Sequence, residues 1–167
     1  MENYIVIKGK TVELTDEQIQ KMIASGIVKE NTNPFERVHT REIYYYINQF
    51  GKIYGCMEEY CPHNDGHFEV GNYCTDKEVL RQQALRETLN RLLWRYSMEH
   101  DGDKVKWAND TMQWYIYYDC YSRVFTVSFN IAINVFSTVY FISKETALNA
   151  IREVVEPFMA EHPDFIW

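Results

Sequence analysis

The sequence predicts an α+β fold: an antiparallel sheet of tyrosine-rich hairpins packed on two main helices, preceded by a small hairpin-and-helix unit. Three observations carry this. Two β-prone runs, "REIYYYINQFGKIYGCM" and "QWYIYYDCYSRVFTVSF", each fold back around a short turn. Two later segments repeat apolar residues at spacings of three and four, the period of a helix face. Each hairpin is followed by a short third strand that enters one of those helices through a capping residue, so a βββα unit is read twice. The halves match in pattern and in Tyr to Lys-Glu spacing rather than in sustained identity.

Taken in order, "YIVIKGKTVELTDEQIQKMIASG" predicts a hairpin turning at Lys8, Gly9 and Lys10, then a helix capped by Thr15 with Gln18 completing a capping box. Gly26 is the expected stop. Asn33 and Pro34, after a polar run, mark a linker, which divides the chain into a unit over 1–34 and a main domain over 35–167. In the main domain the first hairpin and third strand lead to a helix from about Asp76 to Met98, whose Ala84, Leu85, Leu89, Leu92, Leu93 and Tyr96 share a stripe. After the second hairpin, Ala147, Leu148, Ile151, Val154 and Val155 predict a helix that Pro157, lacking an amide hydrogen, should kink or end.

Composition narrows the function classes. With 46% hydrophobic residues in 167, the chain can bury a core without disulfides. Its apolar runs are interrupted well before the ~20 residues of a membrane helix, and "MENYIVIKGK" has no basic segment followed by an apolar one, so a cytoplasmic protein is expected. A formal charge of −7 argues against direct nucleic-acid binding, which relies on clustered Lys and Arg. It does permit a surface that competes with nucleic acid for a basic groove. The four cysteines are expected to be reduced thiols.

Candidate sites follow from "CMEEYCPHNDGHF". Zinc takes four Cys or His ligands, and Cys56, Cys61, His63 and His67, with Cys74 nearby, are candidate metal ligands. The spacing is not that of paired Cys-x-x-Cys or of a helical His pair, and Pro62, Asn64, Asp65 and Gly66 read more simply as a solvated loop. No metal and no cofactor is therefore expected. Cys74, on the strand before the helix cap, reads as a small buried hydrophobe. A Cys and His enzyme, or one built on the carboxylates of Glu58, Glu59, Asp65, Glu69, Asp101, Asp103 and Asp110, needs a spatial pairing that spacing does not show, and these carboxylates read as loop solvation. No glycine loop for phosphate is present. Arg81, Arg91 and Arg95 could clamp an anion, but the simpler outcome is pairing with the chain's own carboxylates.

The aromatic content, 16% with thirteen tyrosines, demands its own account. Strand alternation puts Ile43, Tyr45 and Ile47 on one face with Tyr44 and Tyr46 on the other, and Trp114, Ile116 and Tyr118 against Tyr115 and Tyr117. If Tyr45 and Trp114 face the helices, then Tyr44, Tyr46, Tyr115 and Tyr117 form an open recognition surface for a partner. Equally, both faces are covered, by the N-terminal unit or by a second copy in a homodimer. The loops around Asp65 and Asp103 are the alternative partner-binding positions.

The motifs "NPFERV", "YYYIN", "GNYCTDKEVLRQQALRETLNRLLWRYSMEHDGDK", "TVYFISKETALNAI" and "PFMAEHPDFIW" together resemble an uncharacterised family of small accessory proteins carried by phages and prophages of Firmicutes. That resemblance spans nearly the whole chain from residue 33 onward and implies no catalytic residues. It implies a context in which small proteins bind and alter a host or phage machine, often a defence nuclease complex. The expectation is a non-enzymatic inhibitor in the cytoplasm of an infected host, an anti-CRISPR or other counter-defence factor acting by occlusion. The alternatives are a zinc-stabilised or nucleic-acid-binding accessory factor and an enzyme using the Cys, His and carboxylate loop.

Overall fold

The computed structural model describes residues 4–7, 10–25, 33–102 and 111–167. The expected turn at Lys8 and Gly9, the Gly26 stop, and Asp103 and Asp110 lie outside them. The fold is α+β, as the hairpin and helix patterns predict. β1 (Tyr4–Ile7) and β2 (Lys10–Glu13) pair antiparallel with Tyr4 opposite Glu13. α1 (Asp16–Ala24) follows, and its capping box is formed: the Gln18 amide donates to Thr15 Oγ1 at 3.3 Å and the Thr15 amide to Gln18 Oε1 at 2.9 Å.

Residues 43–76 and 112–143 share one wiring. β3 (Ile43–Ile47) pairs with β4 (Ile53–Met57), and Cys74 then bridges back to Tyr45 through backbone bonds of 2.7 and 3.0 Å. α2 (Pro62–Glu69) lies between them in sequence. β5 (Met112–Asp119) pairs with β6 (Val124–Ile131), and β7 (Tyr140–Phe141) returns beside β5, setting Phe141 opposite Trp114 and Tyr140 opposite Tyr115. In the first half a single bridge at Cys74, and in the second the strand β7, joins the first strand of the hairpin, so the second sheet has the order β6-β5-β7. A helix cap follows two residues on: Asp76, accepting from the Glu78 and Val79 amides, opens α3 (Lys77–His100), and Ser143, accepting from the Thr146 amide, opens α4 (Lys144–Ala150). Aligned on these bridges, Tyr44 corresponds to Gln113 and Tyr73 to Tyr140, all four of them buried.

The larger core lies between α3, the C-terminal helices and the inner face of β5 and β6. Leu89, Leu93 and Tyr96 meet Phe141, Ala147, Ala150, Val155, Phe158 and Phe165, with Trp114, Ile116, Phe125 and Val127 packed beneath. The end of α3 is tied to β7, because Ser97 Oγ donates to the Tyr140 carbonyl at 2.8 Å and Asp101 Oδ2 accepts from the Ile142 amide at 3.0 Å. Asp101 is therefore a buried tie, not loop solvation. No helix of the described residues is long and apolar enough to cross a membrane.

Pro157 neither ends the last helix nor stands in an ordinary one. The chain passes from α4 through a π-helical turn, Ile151–Val155, into α5 (Glu156–Glu161). The amide of Glu156 bonds back to the Ile151 carbonyl, a five-residue reach. Widening the turn just before proline accommodates a ring that would otherwise strike the carbonyl four residues earlier.

Strand parity gives the first sheet the wrong exposed face. Tyr44 is 0% exposed, not on an open surface, and Tyr46 is half-buried. The reason is α2: the segment expected as a solvated loop is a helix whose Asn64 and His67 close over Tyr44, while the opposite face leaves Ile43, Gly55 and Met57 exposed. In the second sheet parity holds. Trp114 and Ile116 face the core, and Tyr115 and Tyr117 point away from it.

Candidate functional site

Two surfaces compete for function: the polar cluster under α2, and the outer face of β5 and β6. The first begins with a helix that has almost no apolar stripe. Phe68 is the only large apolar side chain in "PHNDGHFE", so polar bonds must hold α2 in place. Pro62 occupies its first turn, where a missing amide costs nothing. Asn64, 1% exposed, is the central fastener. Its Oδ1 accepts from the Glu59 amide at 3.0 Å and from Cys61 Sγ at 3.1 Å, and its Nδ2 donates to Tyr44 Oη at 2.9 Å and to the Met57 carbonyl at 3.2 Å.

Around this fastener lies a buried ion pair. Glu58 is fully buried, which corrects its assignment to loop solvation. Arg37 grips it with Nε at 3.2 Å and Nη2 at 3.0 Å, and Nη2 reaches Asp65 at 2.7 Å. Tyr73 Oη donates to Glu58 Oε2 at 2.9 Å and the Tyr60 amide to Oε1 at 2.7 Å. The guanidinium also lies 4.4 Å above the Tyr60 ring. Tyr60 itself sits in the left-handed region at φ 52°, a conformation sustained by these contacts and by its hydroxyl donating to the Val38 carbonyl at 3.0 Å.

The electrostatics follow from this packing. Arg37 and the other donors hold the Glu58 carboxyl below its usual range despite burial. Burial pushes the Tyr73 phenol up to about 12 and raises that of Tyr44 as well. Burial lowers the pKa of His67, and neighbouring His63 lowers it further. The two imidazoles stand one turn apart on α2 with ring centroids 4.3 Å apart, so a helical His pair exists where the spacing had been read as a loop. His67 Nδ1 lies 2.9 Å from Tyr44 Oη, and its ring stacks on Tyr46 at 4.1 Å.

Chemically, the cluster is saturated. Glu58 already receives four donors and is held ionised below its usual pKa, so it is a poor base. His67 Nδ1 is directed to Tyr44 rather than to a thiol, and Cys61 Sγ donates to Asn64. No thiolate and imidazole pair of the kind nucleophilic catalysis needs is assembled by Cys56 or Cys61. Among the described residues no group of three or more His, Cys, Asp or Glu comes together to hold a metal ion. Cys74 is buried, with its thiol raised by burial, and Cys120 is exposed in the β5–β6 turn. Arg81 pairs with Glu78 and Asp164, and Arg91 with Glu87, so neither is held ready for an anion.

The second surface is less tied. Tyr115 and Tyr117 stand on the outer face, ring centroids 6.2 Å apart, with Thr126, Ser128 and Asn130 of β6 beside them. Tyr117 is 39% exposed. At the other end the face is closed, because the Tyr140 hydroxyl accepts from the Val135 amide at 2.9 Å and from Asn130 Nδ2 at 3.2 Å. The chain runs from β6 to β7 through residues 132–139 with no helix, so nothing there corresponds to α2.

No protein-family model, curated protein or solved structure matches this chain. The site must therefore be judged by its own geometry. Of the residues singled out by sequence, the structure gathers Tyr44, Tyr46, Cys56, Cys61, His63, Asp65 and His67 into one cluster and places Tyr115 and Tyr117 on another surface. Arg37, Tyr60, Asn64 and Tyr73, which hold the cluster, carried no sequence signal beyond being polar or aromatic near a predicted turn.

Proposed function

We propose that the chain is a non-enzymatic, phage-encoded binding protein that inhibits or redirects a host macromolecular machine by occlusion, an anti-CRISPR or other counter-defence factor. The observation that carries the reading is the contrast between the two sheet faces. The polar cluster spends its donors and acceptors internally, whereas on the other face Tyr117 is exposed and Tyr115, Thr126 and Ser128 are half-exposed, rigid rings beside short hydroxyls of the kind found in adaptable protein-binding surfaces. The resemblance to phage accessory proteins supports a host protein as the partner, and the charge of −7 supports a target with a basic surface.

Affinity capture from the host bacterium with mass spectrometry tests this. Wild-type protein should retain one large partner stoichiometrically, and Tyr115→Ala with Tyr117→Ala should lose it while the melting temperature holds. Capture undiminished by both substitutions would move the binding surface elsewhere. No stoichiometric partner at all would remove the proposal.

A further inference from the structure

His63 and His67 are poor metal ligands only if they lie in a loop, and they do not. Residues four apart on a helix stand one above the other on the same face. His63 is exposed and His67 half-buried, so the pair is open to solvent on one side and rests on the tyrosines of β3 on the other. Neither imidazole is used by the ion pair of Arg37 and Glu58.

We propose that His63 and His67 together bind one divalent first-row transition ion, Cu²⁺ in preference to Zn²⁺, with water in its remaining positions. Ring geometry is the first support. The His67 ring lies nearly flat on Tyr46, with centroids 4.1 Å apart and planes 22° from parallel. His63 stands 4.3 Å from His67 and 6.2 Å from Tyr46. These three separations form nearly a right angle at His67, so His63 meets the edge of the His67 ring rather than its face. The nitrogen lone pair of an imidazole points outward in the plane of the ring, so an edge contact is one that an ion can bridge. With each nitrogen ~2.1 Å from a shared ion and the two bonds at about a right angle, the ring centres come to about 4.5 Å. The pair stands close to that separation in the folded chain.

The second support is the way His67 is held. Its Nδ1 lies 2.9 Å from Tyr44 Oη, which leaves Nε2 for an ion. Ion binding takes the tautomer in which Nδ1 donates to Tyr44, and the Tyr44 hydroxyl then turns its own proton to Cys56, with which it is also hydrogen-bonded. A ligating imidazole fixed through its other nitrogen has a set ring plane and tautomer. Tyr44 is itself immobile, since Asn64 donates to its Oη and Tyr73 stacks on its ring. Burial and His63 lower the pKa of His67, so at neutral pH no proton has to leave it before an ion binds. The donor set names the ion: imidazole suits Cu²⁺, Ni²⁺ and Zn²⁺, whereas Mg²⁺ and Ca²⁺ require oxygen ligands. Among the described residues no third Cys, His, Asp or Glu joins the pair, so the closed cage of structural zinc is not built and affinity follows the intrinsic order, Cu²⁺ above Zn²⁺. An ion shared by successive turns binds only while α2 is helical, and it adds to the polar fastening of a helix that lacks an apolar stripe.

Calorimetric titration of the untagged protein with CuCl₂, ZnCl₂ and MgCl₂ is the test. Cu²⁺ should bind at one ion per chain and more tightly than Zn²⁺, with no binding of Mg²⁺. His63→Ala, at an exposed ring, should leave the fold intact and weaken Cu²⁺ binding about tenfold or more, and His67→Gln should do the same. His100→Ala, at the exposed end of α3, should not. Saturating Zn²⁺ should slow amide exchange along α2 in the wild type and not in His63→Ala. Copper affinity that His63→Ala leaves unchanged, the mark of an adventitious ion only, overturns the proposal. So do α2 amides indifferent to Zn²⁺, or Mg²⁺ bound as tightly as Cu²⁺. The site lies apart from the Tyr115 and Tyr117 face, so this titration and the capture experiment can fail independently.

Discussion

At the scale of single residues, Tyr44 and Tyr117 show how much one residue's surroundings decide. Both are outward tyrosines by strand parity, yet Tyr44 stacks on Tyr73 at 3.9 Å and is closed off by Asn64 and His67, while Tyr117 remains accessible. Tyr44→Ala should cost ~3 to 5 kcal/mol by chemical denaturation, the usual loss for a buried aromatic, and Tyr117→Ala less than ~1 kcal/mol. Equal losses would mean that the outer face of β5 is covered too. The titrating groups of the cluster predict acid sensitivity in two steps. His67 is held neutral in the fold, so the stability it contributes is present above its unfolded pKa of ~6.5 and declines as pH falls below that value. Glu58 is held ionised, so its contribution is present above ~4.3 and is lost as pH falls through its lower folded value. Urea denaturation at several pH values should show both declines, and His67→Gln should abolish the upper one alone. Glu58→Gln removes the buried carboxylate but leaves Arg37 its Asp65 partner, so it should destabilise at neutral pH and abolish the lower decline alone.

At the scale of elements, legibility tracks apolar periodicity. α3 was readable because Ala84, Leu89, Leu93 and Tyr96 recur on one face, and all four are buried. Leu89→Ala should therefore cost ~2 to 5 kcal/mol in a denaturant melt, more than Leu92→Ala, since Leu92 is only half-buried at the margin of the core. α2 was unreadable for the opposite reason. Pro62, Asn64, Asp65 and Gly66 are turn formers by propensity, and the partners that make this stretch helical, Tyr44, Cys56 and Met57, come from β3 and β4. Tertiary bonds overrode local preference. Missing the helix also misplaced the exposed face of the first sheet, because Asn64 and His67 of α2, together with Tyr73, close over Tyr44. The π turn was legible only as trouble at Pro157. Since Ile151–Val155 already accommodates the ring, Pro157→Ala should change stability by less than ~1 kcal/mol, against ~3 kcal/mol for proline in an ordinary helix interior. A large gain in melting temperature would show the proline to be unrelieved.

At the scale of the whole molecule, the repeated wiring was visible in the Tyr to Lys-Glu spacing, and the structure realises it with bridges at Tyr45 to Cys74 and Trp114 to Phe141. What sequence could not show is that the halves use the same position differently. Tyr73 in one half buries its hydroxyl against Glu58, and Tyr140 in the other directs its hydroxyl to Val135 and Asn130. One half is committed to its own cohesion and the other keeps a face available. The fastening of α2 by Asn64, Glu58 and His67 also has a thermal signature. A helix docked through hydrogen bonds with little apolar area should detach with a small heat-capacity change, whereas separating α3 from β5 and β6 exposes hydrocarbon and carries a large one. Cooling therefore weakens the large core while leaving α2 seated, and warming favours release of α2 as a local opening before the rest of the chain unfolds.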